Sequence, residues 1–382
     1  MNRPRPEKIQ GPTTGFSGSP GPPFRILVAP LDWGLGHATR CIPIIYALLQ
    51  KGCQVWLAGE GAQETLLRTE FPQLPFLSLP GYRVRYGRSR FTLIWQLIRQ
   101  MPRLRRVIRE ENNWLRKMLE THSFDAVISD NRYGLHHPSL PSIFITHQLH
   151  IKSPVGKWAE DLLQKSNYRH IRSFTACWVP DYPDNPALAG ELSQPDHQPA
   201  VPTLYTGPLS RFQPLNIPVQ ENHLLILLSG PEPQRSLLEN KIIEDISHYP
   251  YTATIVRGLP NAATLIPSTG TIRFYNHLGS QELNKEMEAA SFVISRSGYS
   301  TIMDLATLHK KSILIPTPGQ TEQEYLGRHL QQQQLAVCVP QSQFSLPEAL
   351  QKAGQFHYAD WRKAGPSLLD SAIDQLLLLL KK

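Results

Sequence analysis

The feature that most constrains the fold is an alternation of short apolar runs with longer helical stretches, which occurs twice along the chain. The first set of strand-like runs occupies residues 25–30, 54–60, 125–130, 142–147, 176–181 and 203–209. The second set occupies residues 223–230, 252–258, 271–277, 291–298, 312–318 and 335–340. Short, continuous apolar runs are typical of strands buried on both faces of a parallel sheet. The pattern therefore predicts an α/β chain with two doubly wound domains.

The segments outside these two sets indicate the domain bounds. Residues 1–23 are rich in Pro, Gly and Ser and lack apolar periodicity, so they are predicted to form a disordered tail. Residues 210–222 are polar, contain two prolines and are predicted to be a linker. The two domains are then 24–209 and 223–382. Because doubly wound domains bind ligands beyond the carboxyl ends of their strands, we expect the site in the cleft between them.

Composition narrows the class of protein. The chain of 382 residues is 41% hydrophobic and 18% charged, which is enough apolar material for two cores. None of its four cysteines forms a C-x-x-C pair, so neither a zinc site nor a dithiol redox site is expected, and a reducing compartment is favoured. No signal peptide and no run near the ~18 apolar residues of a membrane span is present. We expect a cytoplasmic protein that at most attaches to the inner face of a membrane.

A basic segment at 89–117 accounts for much of the formal net charge of +8. Five arginines lie there within eleven residues, beside an apolar stripe: Arg99, Arg103, Arg105, Arg106 and Arg109. One interpretation is a packed helix with a solvated basic face. The other is a surface that docks on anionic lipid. Since no nucleic-acid recognition motif accompanies the charge, no nucleic-acid partner is expected.

Two strand-to-helix turns carry the residues that point to chemistry. In "PLDWGLGHATR" (30–40), Gly34 and Gly36 precede His37, and they are candidates for close approach to a phosphate or an acceptor. In "ISRSGYSTIMD" (294–304), a strand ends at Arg296 and Gly298 permits a turn into a helix. The unpaired N–H groups at the start of that helix form a phosphate site.

Polar residues after this turn are candidates for contacts to a sugar. Asp304 either forms a capping box with Thr301 or accepts hydrogen bonds from ribose hydroxyls. The loop "GQTEQEY" (319–325) follows the next strand. Its Gln320, Gln323 and Glu324 either bind sugar hydroxyls or belong to an exposed loop.

The stretch 290–325, "ASFVISRSGYSTIMDLATLHKKSILIPTPGQTEQEY", resembles the donor-binding signature of family 28 glycosyltransferases. That family includes enzymes of peptidoglycan and galactolipid synthesis. The resemblance implies the GT-B fold, a UDP-linked sugar donor, an acceptor that is often lipid-linked, and neither a metal nor a cofactor. It also implies roles for individual residues. Gly298, Tyr299, Ser300 and Thr301 would face the pyrophosphate, Asp304 the ribose, Gln323 and Glu324 the sugar, and Tyr275 the uracil.

This chain departs from the family pattern at 129–141, where the second N-terminal Gly-rich loop has no counterpart, and in two places on the donor side. Asp304 stands where the family usually has Glu, which shortens the reach toward the ribose. The loop "SGPEPQR" (229–235) carries two prolines and Glu232 where the family has a Gly-rich loop. Four of its residues remain as phosphate-side candidates: Ser229, Gly230, Gln234 and Arg235.

A transfer of this kind needs a base for the acceptor hydroxyl, and His37 is the first candidate because imidazole titrates near neutral pH. His147 and His150 follow another strand and are alternatives. Asp130, at the end of a third strand, would orient an imidazole or bind the acceptor.

Three other functions fit part of the pattern. One is a nucleotide-sugar epimerase of the same fold, and another is a non-catalytic protein that binds a nucleotide sugar. A dinucleotide-dependent oxidoreductase is disfavoured, because Gly34-x-Gly36-x-x-Thr39 lacks the third small residue of that fingerprint.

Overall fold

The computed structural model describes residues 23–82, 92–260, 262–362 and 365–381, and within 92–102 only the backbone. Apart from Pro23, the predicted tail lies outside these ranges. So do residues 89–91 of the basic segment.

The first half of the chain builds a parallel sheet of seven strands in the order β3-β2-β1-β4-β5-β6-β7. Its strands are β1 (Arg25–Pro30), β2 (Gln54–Gly59), β3 (Phe76–Ser78), β4 (Ala126–Asp130), β5 (Ser142–Ile145), β6 (Ala176–Val179) and β7 (Thr203–Tyr205). The helices between them are α1 (Leu35–Gln50), α2 (Gly61–Glu70), α3 (Thr92–Thr121) and α4 (Lys157–Ile171). The alternate side chains of each strand face opposite layers of helices. Ile26 and Val28 share a core with α1, whereas Leu27 and Ala29 share one with α3.

The second half builds a parallel sheet of six strands in the order β10-β9-β8-β11-β12-β13. Its strands are β8 (Leu224–Leu227), β9 (Ala253–Val256), β10 (Ile272–Tyr275), β11 (Phe292–Ser295), β12 (Ser312–Leu314) and β13 (Val337–Cys338). Its helices are α5 (Gln234–Ile246), α6 (Ser280–Ala289), α7 (Tyr299–Thr307), α8 (Thr321–Gln332), α9 (Leu346–Gln355) and α10 (Leu368–Leu380). Two sheets of buried parallel strands confirm the predicted α/β class.

Both sheets reverse strand order at a central pair, and these points position the site. In the first sheet the pair is β1 and β4, where Pro30 lies opposite Asp130 at the carboxyl ends. In the second sheet the pair is β8 and β11. Ligands of open parallel sheets bind beyond such a reversal, since the loops on either side diverge and leave a crevice.

The two halves pack on each other through α1 and α7, whose apolar residues belong to one continuous core. The chain then returns to the first half, where α10 packs against α1 and β7. Asp374 of α10 also forms an ion pair with Lys51, whose Nζ lies 2.6 Å from Asp374 Oδ1. The end of the range predicted as the second domain thus covers the first. This packing holds the carboxyl ends of the two sheets toward each other.

The basic segment forms part of α3, which runs through Pro102 as one helix. Arg103, Arg105, Arg106 and Arg109 are exposed, and Leu104, Val107 and Ile108 are half-buried. Within the described ranges, no helix is both long and apolar enough to cross a bilayer.

Candidate functional site

A cleft of about 420 Å³ lies between the two sheets, at the carboxyl ends of their strands. The first half contributes the start of α1 and the segments after β4 and β5. The second half contributes the start of α7 and the loop before α8. The residues around it include Trp33, Gly36, His37, Arg40, Asn131, His147, Gln148, Lys152, Tyr299, Ser300, Gln320 and Glu322.

The N-termini of α1 and α7 meet in this cleft. Gly34 and Gly298 are their N-cap residues, neither helix has a side-chain cap, and neither has an acidic residue in its first turn. The helices approach so closely that a Cβ on Gly36 would lie 2.8 Å from the Ser300 hydroxyl. Because uncapped helix starts present N–H donors and positive dipole ends, the cleft is suited to an anion.

His37 lies in the first turn of α1 and faces Asp130 at the end of β4. Its Nδ1 is 3.3 Å from each carboxylate oxygen of Asp130, which is fully buried. The two residues are far apart in sequence and meet because β1 and β4 are neighbours in the sheet. The two side chains thus lie within reach of each other, and the role of Asp130 in orienting an imidazole stays a prediction.

Arg40, one helical turn after His37, occupies the centre of this cluster and was not among the predicted site residues. Its Nε donates to Asp130 Oδ2 at 2.7 Å, and its Nη2 donates to Asp130 Oδ1. Nη2 also donates to His37 Nδ1 at 2.8 Å, and Nη1 donates to His147 Nδ1 at 3.2 Å. The buried guanidinium therefore joins the carboxylate to both imidazoles.

The second half contributes Glu322, from the first turn of α8. Its Oε1 accepts from His147 Nε2 at 2.8 Å, and its Oε2 accepts from the Gln148 amide. The His147 ring stacks on Tyr299 with centroids 4.1 Å apart. His150, the other alternative base, points instead at Glu160 on α4, with Nε2 3.0 Å from Oε2.

Burial and charge set the protonation of this cluster. Burial would raise the pKa of Asp130, but Arg40 and His37 outweigh it and lower that pKa to about 2. Burial, reinforced by Arg40, lowers the pKa of His37 despite the opposing effect of Asp130. Burial would raise the pKa of Glu322, yet His147, His37 and Arg40 lower it. At neutral pH the cluster therefore holds two carboxylates, a guanidinium and a neutral His37 imidazole.

In the second half, the side chain of Arg296 lies beneath the loop that follows β8. Its Nη1 donates to the Ile315 carbonyl at 3.1 Å and its Nη2 to the Gln234 carbonyl at 2.8 Å. Its Nε has no partner among the described residues, and burial lowers its pKa to about 10. This side chain ties the β8 and β12 loops together beside Gly230, whose φ is +100°.

The remaining residues of the 229–235 loop differ in placement. Ser229 and Gly230 are exposed at the end of β8. Arg235 is buried in α5, where its Nε lies 2.6 Å from Glu232 and its Nη1 lies 3.1 Å from Glu239. The charge of Glu232 is thus offset within the loop. Tyr275 ends β10 and is half-buried.

The residues of the loop before α8 that were predicted to bind a sugar differ in their placement. Gln320 lines the cleft. The Gln323 amide oxygen accepts from Thr317 N at 2.9 Å, and Glu324 Oε1 accepts from Gly319 N at 3.0 Å. These two side chains brace the loop, and the neighbouring Glu322 reaches His147 and Gln148 of the first half.

Asp304 lies on the face of α7 that is turned toward the segment after β7. The Ser210 hydroxyl donates to Asp304 Oδ1 at 2.5 Å, and the Arg211 guanidinium lies nearby. Helix α7 begins at Tyr299, so Thr301 is inside the helix and the capping-box interpretation is wrong. Burial raises the pKa of Asp304 to about 6, although Arg211 and Ser210 oppose it.

This raised pKa predicts a pH effect on stability. Between about pH 4 and pH 6 the folded chain holds a proton on Asp304 that the unfolded chain has lost, so this group destabilises the fold as pH rises through that window. We expect Asp304→Asn to remove this contribution. The melting temperature of the variant relative to that of the wild type should then be higher at about pH 7 than at about pH 4.5, and the same relative value at both pH values would refute the assignment.

No group of three or more His, Cys, Asp or Glu side chains that could hold a metal ion occurs within the ranges that the structure describes.

Residues 275–360 match the glycosyltransferase family 28 C-terminal domain. The chain is 24% identical over 344 residues to the UDP-N-acetylglucosamine–N-acetylmuramyl-(pentapeptide) pyrophosphoryl-undecaprenol N-acetylglucosamine transferase of Rippkaea orientalis, covering 86% of this chain and 88% of that one. The enzyme of the same name from Methylorubrum populi is 36% identical over 67 residues, which are 17% of this chain and 18% of that one.

Solved structures show the same fold. MurG of Acinetobacter baumannii superposes with a TM-score of 0.52 at 16% identity, covering 94% of this chain and 100% of that one. The spinosyn rhamnosyltransferase SpnG complexed with thymidine diphosphate gives a TM-score of 0.57 at 15% identity, covering 94% and 96%.

The chain is thus a glycosyltransferase with the GT-B fold, as predicted from the sequence. Its residues 275–360 resemble the C-terminal domain of glycosyltransferase family 28.

Proposed function

We propose that this enzyme transfers a hexosyl or N-acetylhexosaminyl group from a UDP-linked donor to an acceptor hydroxyl in the cleft. The observation that carries the proposal is the meeting of two uncapped helix N-termini, at Gly36 and Ser300, beside the His37–Asp130 pair. An anion-binding helix start next to a half-buried imidazole supplies both requirements of sugar transfer.

In the proposed complex the donor lies mainly on the second half. The diphosphate binds the N–H groups that begin α7 at Tyr299, Ser300 and Thr301. Gly230 gives the loop after β8 room to approach it, and Tyr275 borders the uracil. The donor sugar then extends toward Gln320 and Glu322, which line the cleft.

The acceptor lies against the first half and is activated by His37. The acceptor oxygen forms a bond to the anomeric carbon, and its proton passes to the imidazole. The bond from that carbon to the phosphate oxygen breaks, and its electron pair leaves with UDP. The N-terminus of α7 stabilises the negative charge that develops on the diphosphate. Asp130 stabilises the imidazolium.

Thermal stabilisation by a panel of nucleotides and nucleotide sugars tests the donor assignment. A ligand at 100 times its dissociation constant adds roughly 2.7 kcal/mol of stability. We expect UDP and UDP-sugars to raise the melting temperature and ADP and GDP to leave it unchanged. Stabilisation by purine nucleotides alone would overturn the proposal. Epimerised sugar from UDP-N-acetylglucosamine without an acceptor would favour the epimerase.

We propose further that the acceptor is presented at an anionic membrane surface. Trp158 and Leu162 lie four residues apart on α4 and are 64% and 62% exposed. Lys157 and Lys165 are exposed beside them. The segment just before α4 lines the cleft. The exposed arginines of α3 lie on the same side of the first sheet as α4, so this side carries both apolar and cationic groups.

This surface predicts salt-sensitive binding to anionic vesicles. The double variant Trp158→Ser/Leu162→Ser should weaken co-sedimentation with phosphatidylglycerol vesicles at least about tenfold, because two large side chains lose their apolar contact with lipid. Leu265→Ser is the matched control, since Leu265 is 69% exposed in the second half. Equal binding by the double variant and the control would refute the surface.

A further inference from the structure

Arg40 makes a set of contacts that its role as a counter-ion does not require. It is only 3% exposed, and its fork already satisfies both oxygens of Asp130. Two further N–H bonds point at imidazole nitrogens, Nδ1 of His37 at 2.8 Å and Nδ1 of His147 at 3.2 Å. A guanidinium has five N–H donors and no acceptor. Each nitrogen that faces it must therefore offer a lone pair.

The competing partner of His37 is less well placed. Asp130 lies 3.3 Å from His37 Nδ1 through both oxygens, beyond the usual 2.7–3.2 Å of an N–H···O bond. The same oxygens also accept hydrogen bonds from Arg40. The contact of His37 Nδ1 with the guanidinium is shorter, at 2.8 Å, and a guanidinium can only donate, so this contact favours a proton on Nε2 and not on Nδ1.

His147 makes a contact of the same kind with Arg40. Its Nδ1 faces Arg40, and its Nε2 lies 2.8 Å from Glu322 Oε1. A carboxylate can only accept, so the proton of His147 must be on Nε2. Both neighbours of this ring therefore demand the same tautomer.

We infer that Arg40 is a positioning residue that holds His37 and His147 as Nε2–H tautomers, so that His37 offers the cleft a proton and not a lone pair. This deepens the proposed function, and its catalytic consequence rests on that function. To act as a base through Nε2, His37 must change to the Nδ1–H tautomer, in which Nδ1–H donates a hydrogen bond to Asp130 and Nε2 carries the lone pair. Arg40 must first release Nδ1. Until then His37 does not activate water, and hydrolysis of the donor is suppressed.

Nitrogen-detected NMR on the full chain tests the inference without any substrate. The chain is labelled with ¹⁵N-histidine and studied at about pH 8, above the usual histidine pKa. The charged or titratable groups facing His37 are Asp130, Arg40, His147 and Glu322. Long-range ¹H–¹⁵N correlations distinguish the two neutral tautomers. His37→Gln and His147→Gln assign the signals.

We expect the Nε2–H pattern for both rings of the wild type. An Nδ1–H pattern for His37 would overturn the inference, because Asp130 and not Arg40 would then be its partner. In Arg40→Met, which keeps length but has no donor, His37 should change to Nδ1–H. Arg68→Met, at a half-exposed arginine on α2, is the matched control and should leave both patterns unchanged. If Arg40→Met does not fold, the wild-type spectrum alone decides.

A second experiment, separate from the NMR measurement, follows hydrolysis of the donor. With UDP-N-acetylglucosamine as the probe, Arg40→Met should raise donor hydrolysis without acceptor relative to the wild type. An unchanged hydrolysis rate together with a changed tautomer would refute the gating role alone. Absence of turnover in the wild type would count against the proposed donor and leave the tautomer result standing.

Discussion

His37→Asn is expected to lower turnover by about 100- to 10,000-fold, the usual contribution of a general base. Asn keeps polarity at this position but cannot accept the acceptor proton. Binding of UDP should change little, because His37 belongs to the acceptor side and the diphosphate is assigned to the start of α7. Steady-state kinetics and calorimetry with UDP separate the two effects.

His248→Asn serves as the control for this variant, since His248 is exposed in the second half and lies outside the cleft. It should retain wild-type turnover. If His37→Asn also retained wild-type turnover, His37 would have no part in the chemistry.

Asp130→Asn is expected to destabilise the fold by about 3–5 kcal/mol, the cost of removing one partner of a buried ion pair. Asp130 is fully buried and Arg40 almost so, and the guanidinium would lose the charge that offsets its burial. Turnover should fall as well, since the imidazolium of His37 would lose its carboxylate. Denaturant unfolding measures the first effect.

The same residue predicts acid sensitivity. Arg40 and His37 lower the pKa of Asp130 to about 2. The stabilising contribution of Asp130 is therefore complete above the usual Asp pKa and is lost as pH falls through the lowered pKa of the folded chain. Asp130→Asn should flatten this loss. The control is Asp374→Asn, which breaks a half-exposed pair with Lys51 and should cost less than about 1 kcal/mol. Equal costs for the two variants would contradict the account.

The sheets were predictable because their strands are buried on both faces. The apolar runs at 25–30 and 54–60 correspond to β1 and β2 within a residue. Strand β3 was missed, since Phe76–Ser78 is three residues long, lies at the sheet edge and sits among prolines, so it has neither length nor a continuous apolar run.

The cleft was predictable in outline, since strand ends at the reversal of a parallel sheet bring distant residues together. This is why His37 and Asp130 were expected near one another. Arg40 was missed because a charged residue in a helix is ordinarily exposed. The only signal was its position three residues after His37, which places it on the same face of α1.

The contacts of the loop before α8 could not be predicted, for a different reason. Glu322, Gln323 and Glu324 are consecutive and chemically alike, so composition cannot tell which side chain reaches the cleft. Which of these side chains reaches the cleft depends on the residue at which α8 begins. The helix begins at Thr321, and Gln320 is its N-cap residue. Likewise, Asp304 contacts Ser210 because α7 begins at Tyr299 and not at the threonine. Exact helix starts depend on tertiary packing and are poorly determined by sequence.

A crystal structure of the chain with UDP tests the central claim most directly. The account predicts that the diphosphate lies within hydrogen-bond distance of the Ser300 and Thr301 N–H groups, with the uracil near Tyr275 and the terminal phosphate directed toward His37. UDP bound outside this cleft, or a diphosphate remote from the start of α7, would contradict it.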